Sequence, residues 1–144
     1  MSETAASSRA VLFLGRRKHM VPQRVIIVED EYLVALDVEA VLQSMGVESV
    51  AIATTLAQAR QAVEEDGADC VLLDVSLTDG KSYDFARGLR DAGIPFGFVS
   101  GYGDTTGFPE DLTHAPLLGK PFGENEIIDF VLNLVGVVDG AVKE

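Results

Sequence analysis

Two kinds of hydrophobic pattern alternate along the chain. Arg24 to Val28 is a short, unbroken, β-branched run, the pattern of a parallel strand buried on both faces. From 31 to 45 the apolar positions Leu33, Leu36, Val38, Ala40, Val41 and Met45 recur at helical intervals, and Gly46 supplies a stop. Val47 to Ala53 reads as a second strand, with Thr54 or Thr55 able to cap a helix over Leu56–Glu65 that ends near Gly67. Ala68 to Asp74 forms a third strand, and the turn Thr78-Asp79-Gly80 leads into a helix over about 82–92 that Gly93 closes. Ile94 to Ser100 is a fourth strand and Ala115 to Gly119 a short fifth. A last helix from about Glu124 to Val135 carries Ile127, Ile128, Val131, Leu132 and Val135 on one face. Residues 101–113 hold three glycines and a proline, which argues against a long regular helix there. Strands and helices in this order predict one α/β domain, a parallel sheet covered by helices on both faces.

A chain of 144 residues with 47% apolar residues has the length and composition for one packed core. The formal net charge is −12, from 23 acidic and 11 basic residues, which argues against sequence-independent nucleic-acid binding. No apolar run approaches the ~20 residues that span a bilayer, so no membrane partner is expected. The single cysteine, Cys70, lies in an apolar run and reads as a buried, inert thiol, compatible with a cytoplasmic location. His19 and His114 have no partners at metal-ligand spacing. Residues 1–22 combine a small polar stretch, the apolar patch Val11–Leu14 and a basic cluster after it, an order unlike a secretory signal. The expectation is a disordered N-terminal tail over 1–22, a domain over 23–138 and a C-terminal tail over 139–144.

In open parallel sheets the functional crevice lies beyond the carboxyl ends of the strands. Here those ends are Glu29-Asp30-Glu31, Asp74, Ser100-Gly101 and Gly119-Lys120-Pro121-Phe122. Each has an ordinary reading: acids at a helix start, a turn aspartate, a capping serine, a surface loop. Brought together by the sheet, they make a cluster of carboxylates with one lysine and one hydroxyl. Two carboxylates ~4 Å apart repel by about 4 kcal/mol at an effective dielectric near 20. Either one of them takes up a proton or a hard divalent cation such as Mg²⁺ sits between them. An acid set with Mg²⁺, lysine and hydroxyl suits phosphoryl transfer onto a carboxylate.

The segments Val-Ile-Ile-Val-Glu29-Asp30-Glu31, Val-Leu-Leu-Asp74-Val-Ser-Leu, Phe-Val-Ser100-Gly101 and Lys120-Pro121-Phe122 resemble the response-regulator receiver signature over about residues 23–138. The resemblance implies a flavodoxin-like (βα)5 fold with a five-stranded, doubly wound sheet in the order 2-1-3-4-5. It implies Asp74 as the phosphoacceptor, and Asp30, Glu29, Asp74 and the Ser76 carbonyl around Mg²⁺. Lys120, Ser100 and Gly101 would contact the phosphoryl group. Pro95-Phe96-Gly97-Phe98-Val99-Ser100-Gly101-Tyr102-Gly103 is similar, in part, to the "FAT GUY" branch, whose members are typically single-domain receivers served by HWE-type sensor kinases.

Two positions depart from the family pattern. Leu117 stands three residues before the lysine, where an aromatic switch residue is common, and Tyr102 is the candidate substitute. Thr78 replaces a common proline. The glycine-rich stretch 101–107 is expected to become ordered on phosphorylation or Mg²⁺ binding. The implied function is a monomeric or weakly dimeric response regulator that takes a phosphoryl group from a sensor histidine kinase or phosphotransfer protein, hydrolyses it slowly, and acts by protein contact or as a phosphate shuttle or sink. Two other readings stay open: a binding module with this fold but no phosphorylation, and a haloacid-dehalogenase-like phosphatase. The second lacks its general acid, because Ser76 stands where a second aspartate is needed.

Overall fold

The computed structural model describes residues 11–14, 17–101, 104 and 106–136. Its strands are β1 (Val11–Leu14), β2 (Arg17–Met20), β3 (Arg24–Val28), β4 (Ser49–Ala53), β5 (Cys70–Asp74), β6 (Ser76–Leu77), β7 (Gly80–Lys81), β8 (Phe96–Ser100) and β9 (Leu117–Gly119). Its helices are α1 (Tyr32–Ser44), α2 (Leu56–Asp66), α3 (Tyr83–Ala92) and α4 (Glu124–Val135), with a 3₁₀ turn at Glu110–Leu112. Five strands form one parallel sheet in the order β4-β3-β5-β8-β9. Counting only these five along the chain, the order is 2-1-3-4-5, as expected for the flavodoxin-like topology.

Side-chain alternation along the central strands builds a core on each face of the sheet. Val25, Ile27, Cys70, Leu72 and Val99 pack with Ala35, Val38 and Leu42 of α1 and with Ile127, Val131 and Leu132 of α4. On the other face Ile26, Val28, Val71, Leu73 and Phe98 pack with Leu56 and Ala59 of α2 and with Phe85, Ala86 and Leu89 of α3. Unbroken apolar strands are the necessary result, because neither face of β3 or β5 meets water. Cys70 is buried, and desolvation pushes its thiol up to about 12, in keeping with the inert role expected of it.

Local details differ from the sequence expectation in four places. First, the stretch assigned to a tail contains an antiparallel pair, β1 with β2, and β2 lies against α4. Val21, placed in the tail, is fully buried in the α1–α4 core, so the packed domain begins before residue 23. Second, the buried stripe of α1 is Ala35, Val38 and Leu42, while Leu33 is 77% exposed. Third, the turn after β5 is a miniature hairpin that pairs Ser76 with Lys81 and Leu77 with Gly80. Fourth, the parallel strands after β3 begin about two residues later than the apolar runs that announce them. Between β8 and β9 the described residues contain only the 3₁₀ turn, in line with the glycine and proline content there.

That 3₁₀ turn is held firmly at its end. Leu112 is buried, Phe108 meets Tyr83 and Phe98 edge to face, and Asp111 accepts two hydrogen bonds from Arg87 (2.9 and 3.0 Å) and one from Arg90 (3.1 Å). The two guanidinium groups, Arg87 foremost, hold the Asp111 carboxyl well below the usual carboxylate range. Among the described residues no helix is long and apolar enough to cross a membrane.

Candidate functional site

Strand register assembles the site. Ile27 pairs with Leu72 and Val28 with Leu73, so the next residues, Glu29 and Asp74, stand side by side beyond the last pairs. Asp74 also pairs with Val99, which places Ser100 one residue further along the neighbouring strand. The Lys120 N–H donates to the Ser100 carbonyl (2.8 Å), tying the loop after β9 to the end of β8. The structure thus brings Glu29, Asp30, Asp74, Ser100 and Lys120 to one end of the sheet.

Glu29, Asp74 and Ser100 are buried, at 4%, 5% and 5% exposure. Lys120 Nζ lies 2.9 Å from Glu29 Oε1 and 3.4 Å from Asp74 Oδ2. Glu29 Oε2 accepts the Glu31 N–H (3.1 Å), which orients its carboxylate at the start of α1. Glu29, Asp30 and Asp74 each offer one oxygen, all within 4.8 Å of one another. Beneath them Val38, Leu72, Val99, Phe122 and Ile127 make an apolar floor.

The electrostatics follow from this arrangement. Burial raises the Asp74 carboxyl, the Glu29 charge raises it further, and Lys120 only partly offsets them, leaving it at about 7. Burial works against the Lys120 ammonium, but Glu29 and Asp74 outweigh it and hold the group above its usual range. One lysine therefore contacts two of the three clustered carboxylates. The donor set fits Mg²⁺, a hard cation that takes oxygen ligands and is held by one or two carboxylates.

A receiver fold, this acid triad and a lysine across it agree with the comparison that decides the family: the response regulator receiver domain family matches residues 25–132. The chain belongs to the response regulator receiver domains. It is 32% identical over 101 residues to the phyllosphere-induced regulator PhyR of Methylorubrum extorquens, an alignment covering 68% of this chain and 38% of that protein. The chain thus spans well under half of that relative's length. Its fold is similar to the solution structure of SdrG from Sphingomonas melonis Fr1, with TM-score 0.69, 33% identity, and 79% and 97% of the two chains covered. The receiver domain of Erythrobacter litoralis PhyR is similar too, with TM-score 0.70, 27% identity, and 78% and 89% covered. Receiver domains are signalling domains, generally bind Mg²⁺ at an acidic pocket, and work with a kinase or other phosphodonor.

The remaining expected residues are distributed as follows. Ser76 lies at the start of the miniature hairpin, where its hydroxyl accepts a hydrogen bond from Lys81 Nζ (2.7 Å). Gly101 follows Ser100, and its N–H donates to Asp104 Oδ2 (2.6 Å). Tyr102 lies outside the described residues, as does part of the stretch expected to order on phosphorylation. Leu117 is 41% exposed on β9.

Two acids of the site region escaped the sequence reading. Asp104 joins the loops after β5 and β8. Asp79, read only as a turn residue, caps α2 from 23 residues away: the N–H groups of Leu56 and Ala57 donate to its carboxylate at 3.0 to 3.3 Å. The first of these bonds lowers its pKa below the ordinary carboxylate value. Thr55 completes the cap by accepting the Gln58 N–H. Long-range capping leaves no local signature except an acid in the loop. Asp79→Ala is expected to lower the thermal midpoint by roughly 2–6 °C, and Asp79→Asn by less, since the amide oxygen still accepts. Calorimetry of the three proteins checks this, and an unchanged midpoint for Asp79→Ala would remove the capping role.

A groove of about 580 Å³ opens beside the site, between α1 and the start of α4. Val34, Val38, Val41, Phe122 and Ile127 give it apolar walls, and Lys120 is part of its lining.

Proposed function

We propose that this chain is a response regulator that accepts a phosphoryl group on Asp74 from the phosphohistidine of a sensor kinase or phosphotransfer protein. The observation that carries the reading is the buried Asp74 carboxylate, set beside Glu29, Asp30 and Lys120 at the sheet's carboxyl end. Glu29, Asp30, Asp74 and the Ser76 carbonyl would hold Mg²⁺, which neutralises charge on the phosphoryl oxygens when bound.

An Asp74 oxygen attacks phosphorus in line as the bond to the donor imidazole nitrogen breaks, and the departing imidazole takes up a proton. Lys120, already 3.4 Å from Asp74, exchanges that carboxylate for a phosphoryl oxygen. Ser100 and the Gly101 N–H are the remaining contacts expected for the phosphate. The apolar groove that Lys120 helps to line suits the helix of a phosphodonor, and HWE-type kinases fit the partial "FAT GUY" likeness of Pro95–Gly103. Water then releases the phosphoryl group slowly. Output by protein contact, or as a phosphate shuttle or sink in the cytoplasm, by a monomer or weak homodimer, completes the reading.

Incubation with acetyl phosphate and Mg²⁺, followed by intact-mass measurement, tests it. Wild type is expected to gain one acid-stable, base-labile phosphoryl group, and Asp74→Ala none. An unmodified wild type would favour a binding module without phosphorylation. Turnover of unrelated phosphomonoesters would favour a phosphatase.

A further inference from the structure

Among the described residues, the Asp104 side chain links the segments that leave β5 and β8. Asp104 Oδ2 accepts the Gly101 N–H at 2.6 Å, and Asp104 Oδ1 lies 3.4 Å from the Ser76 hydroxyl, which Lys81 supports from the other side at 2.7 Å. Gly101 is the residue after Ser100, and Ser76 is two residues beyond Asp74. The Asp104 carboxylate therefore occupies donors that flank the acceptor.

Turn closure alone does not account for an acid here. The turn is already closed by the Asp104 N–H donating to the Gly101 carbonyl at 3.2 Å. A neutral acceptor such as asparagine would satisfy the Gly101 N–H as well. A carboxylate adds a further negative charge beside a site that already holds Glu29, Asp30 and Asp74. Its short, charge-assisted bond to Gly101 is favourable only while no other anion competes for that N–H.

We propose that Asp104 is a positioning residue for the reaction at Asp74: its carboxylate is an internal anion that holds the Gly101 N–H and the Ser76 hydroxyl until a phosphoryl group displaces it. The inference rests on phosphorylation of Asp74 and deepens it. Before transfer, Asp104 keeps the two loops joined and the donors in place. On transfer, the phosphoryl oxygens repel the carboxylate and take over the Gly101 N–H, and the link to the Ser76 hydroxyl opens. By linkage, whatever factor Asp104 costs phosphate binding, the bound phosphate costs the Asp104 contacts.

The test uses the full chain as wild type, Asp104→Asn and Asp104→Ala, with beryllium fluoride plus Mg²⁺ as the phosphoryl mimic and acetyl phosphate as donor. Both variants are expected to bind fluoroberyllate about 3–10-fold more tightly than wild type, because the binding-competent state no longer has to be won from the carboxylate. In wild type the NMR resonances of the Gly101 amide and the Asp104 carboxyl carbon are both expected to shift on fluoroberyllate addition. A merely structural role predicts that Asp104→Asn, which keeps the turn, binds as wild type does. That result, or an Asp104 carboxyl resonance that stays put, overturns the inference and leaves Asp74 phosphorylation intact. A wild type that neither binds fluoroberyllate nor is modified by acetyl phosphate overturns both. Should a variant fail to fold, the wild-type resonances decide.

Discussion

Replacing Asp74 by asparagine is expected to stabilise the metal-free protein at pH 8 by about 1–3 kcal/mol, although it removes the proposed phosphoacceptor. The reason is the raised carboxyl, about 7 in the folded protein against an ordinary 3.8. The folded state then binds more protons than the unfolded chain between those two values. Stability from this group is fully present below about pH 4 and is lost as pH rises through about 7. A shift of this size corresponds to about 4 kcal/mol by the usual conversion, and part of it is shared with Glu29 and Lys120, which remain in the variant. Asparagine keeps the shape and removes the charge. Urea unfolding in a chelator at pH 4.5 and pH 8 reads the effect, with the advantage of the variant growing toward the higher pH. Millimolar Mg²⁺ at pH 8 is expected to narrow the gap by stabilising wild type more. A variant no more stable than wild type at pH 8, or an advantage that does not change with pH, would show that the acids do not strain the metal-free fold.

The same carboxylate shows why so much of this site was legible in the sequence. A strand buried on both faces must be apolar throughout, so a charged residue at its end stands out, and Asp74 after Cys70-Val-Leu-Leu does. Glu29, at the end of β3, is visible for the same reason, and Lys120 follows a short run of apolar and small residues at the sheet's edge. Parallel registration does the rest, since it aligns strand ends whatever lies between them. What stayed hidden depends on contacts without a period. Asp79 reaches α2 across the hairpin, and Asp104 reaches Ser76 across 28 residues. Leu33 falls at a helical interval with the other apolar positions of α1, but a helix turning through Ala35, Val38 and Leu42 leaves Leu33 facing water. The β1–β2 pair has no legible signal, because a four-residue apolar patch beside a basic cluster carries no alternation strong enough to announce a strand.

Gly97→Ala is expected to cost about 1–3 kcal/mol, a large penalty for adding one methyl group. A glycine in the middle of a buried strand is poorly placed on entropic grounds, and it forgoes packing that any neighbour would gain. Its place in β8 is explained by α4, which lays the Phe130 ring directly over it. A Cβ at Gly97 would stand 2.5 Å from both Cε2 and Cζ of that ring and 3.1 Å from Leu134 Cδ1. Phe130 must then rotate, or α4, whose Ile127 and Val131 are buried against the sheet, must lift. A double-mutant cycle with Phe130→Leu isolates the contact. In the leucine background the alanine is expected to be nearly neutral, giving a coupling of about 1–2 kcal/mol by urea unfolding. Equal costs in the two backgrounds would mean that the ring yields freely and that the glycine serves some other need. If the coupling is found, the consequence reaches the site. The start of α4 lines the groove beside Lys120, and β8 ends at Ser100, so one ring seated on one glycine helps set the spacing between the lysine and the strand end it faces.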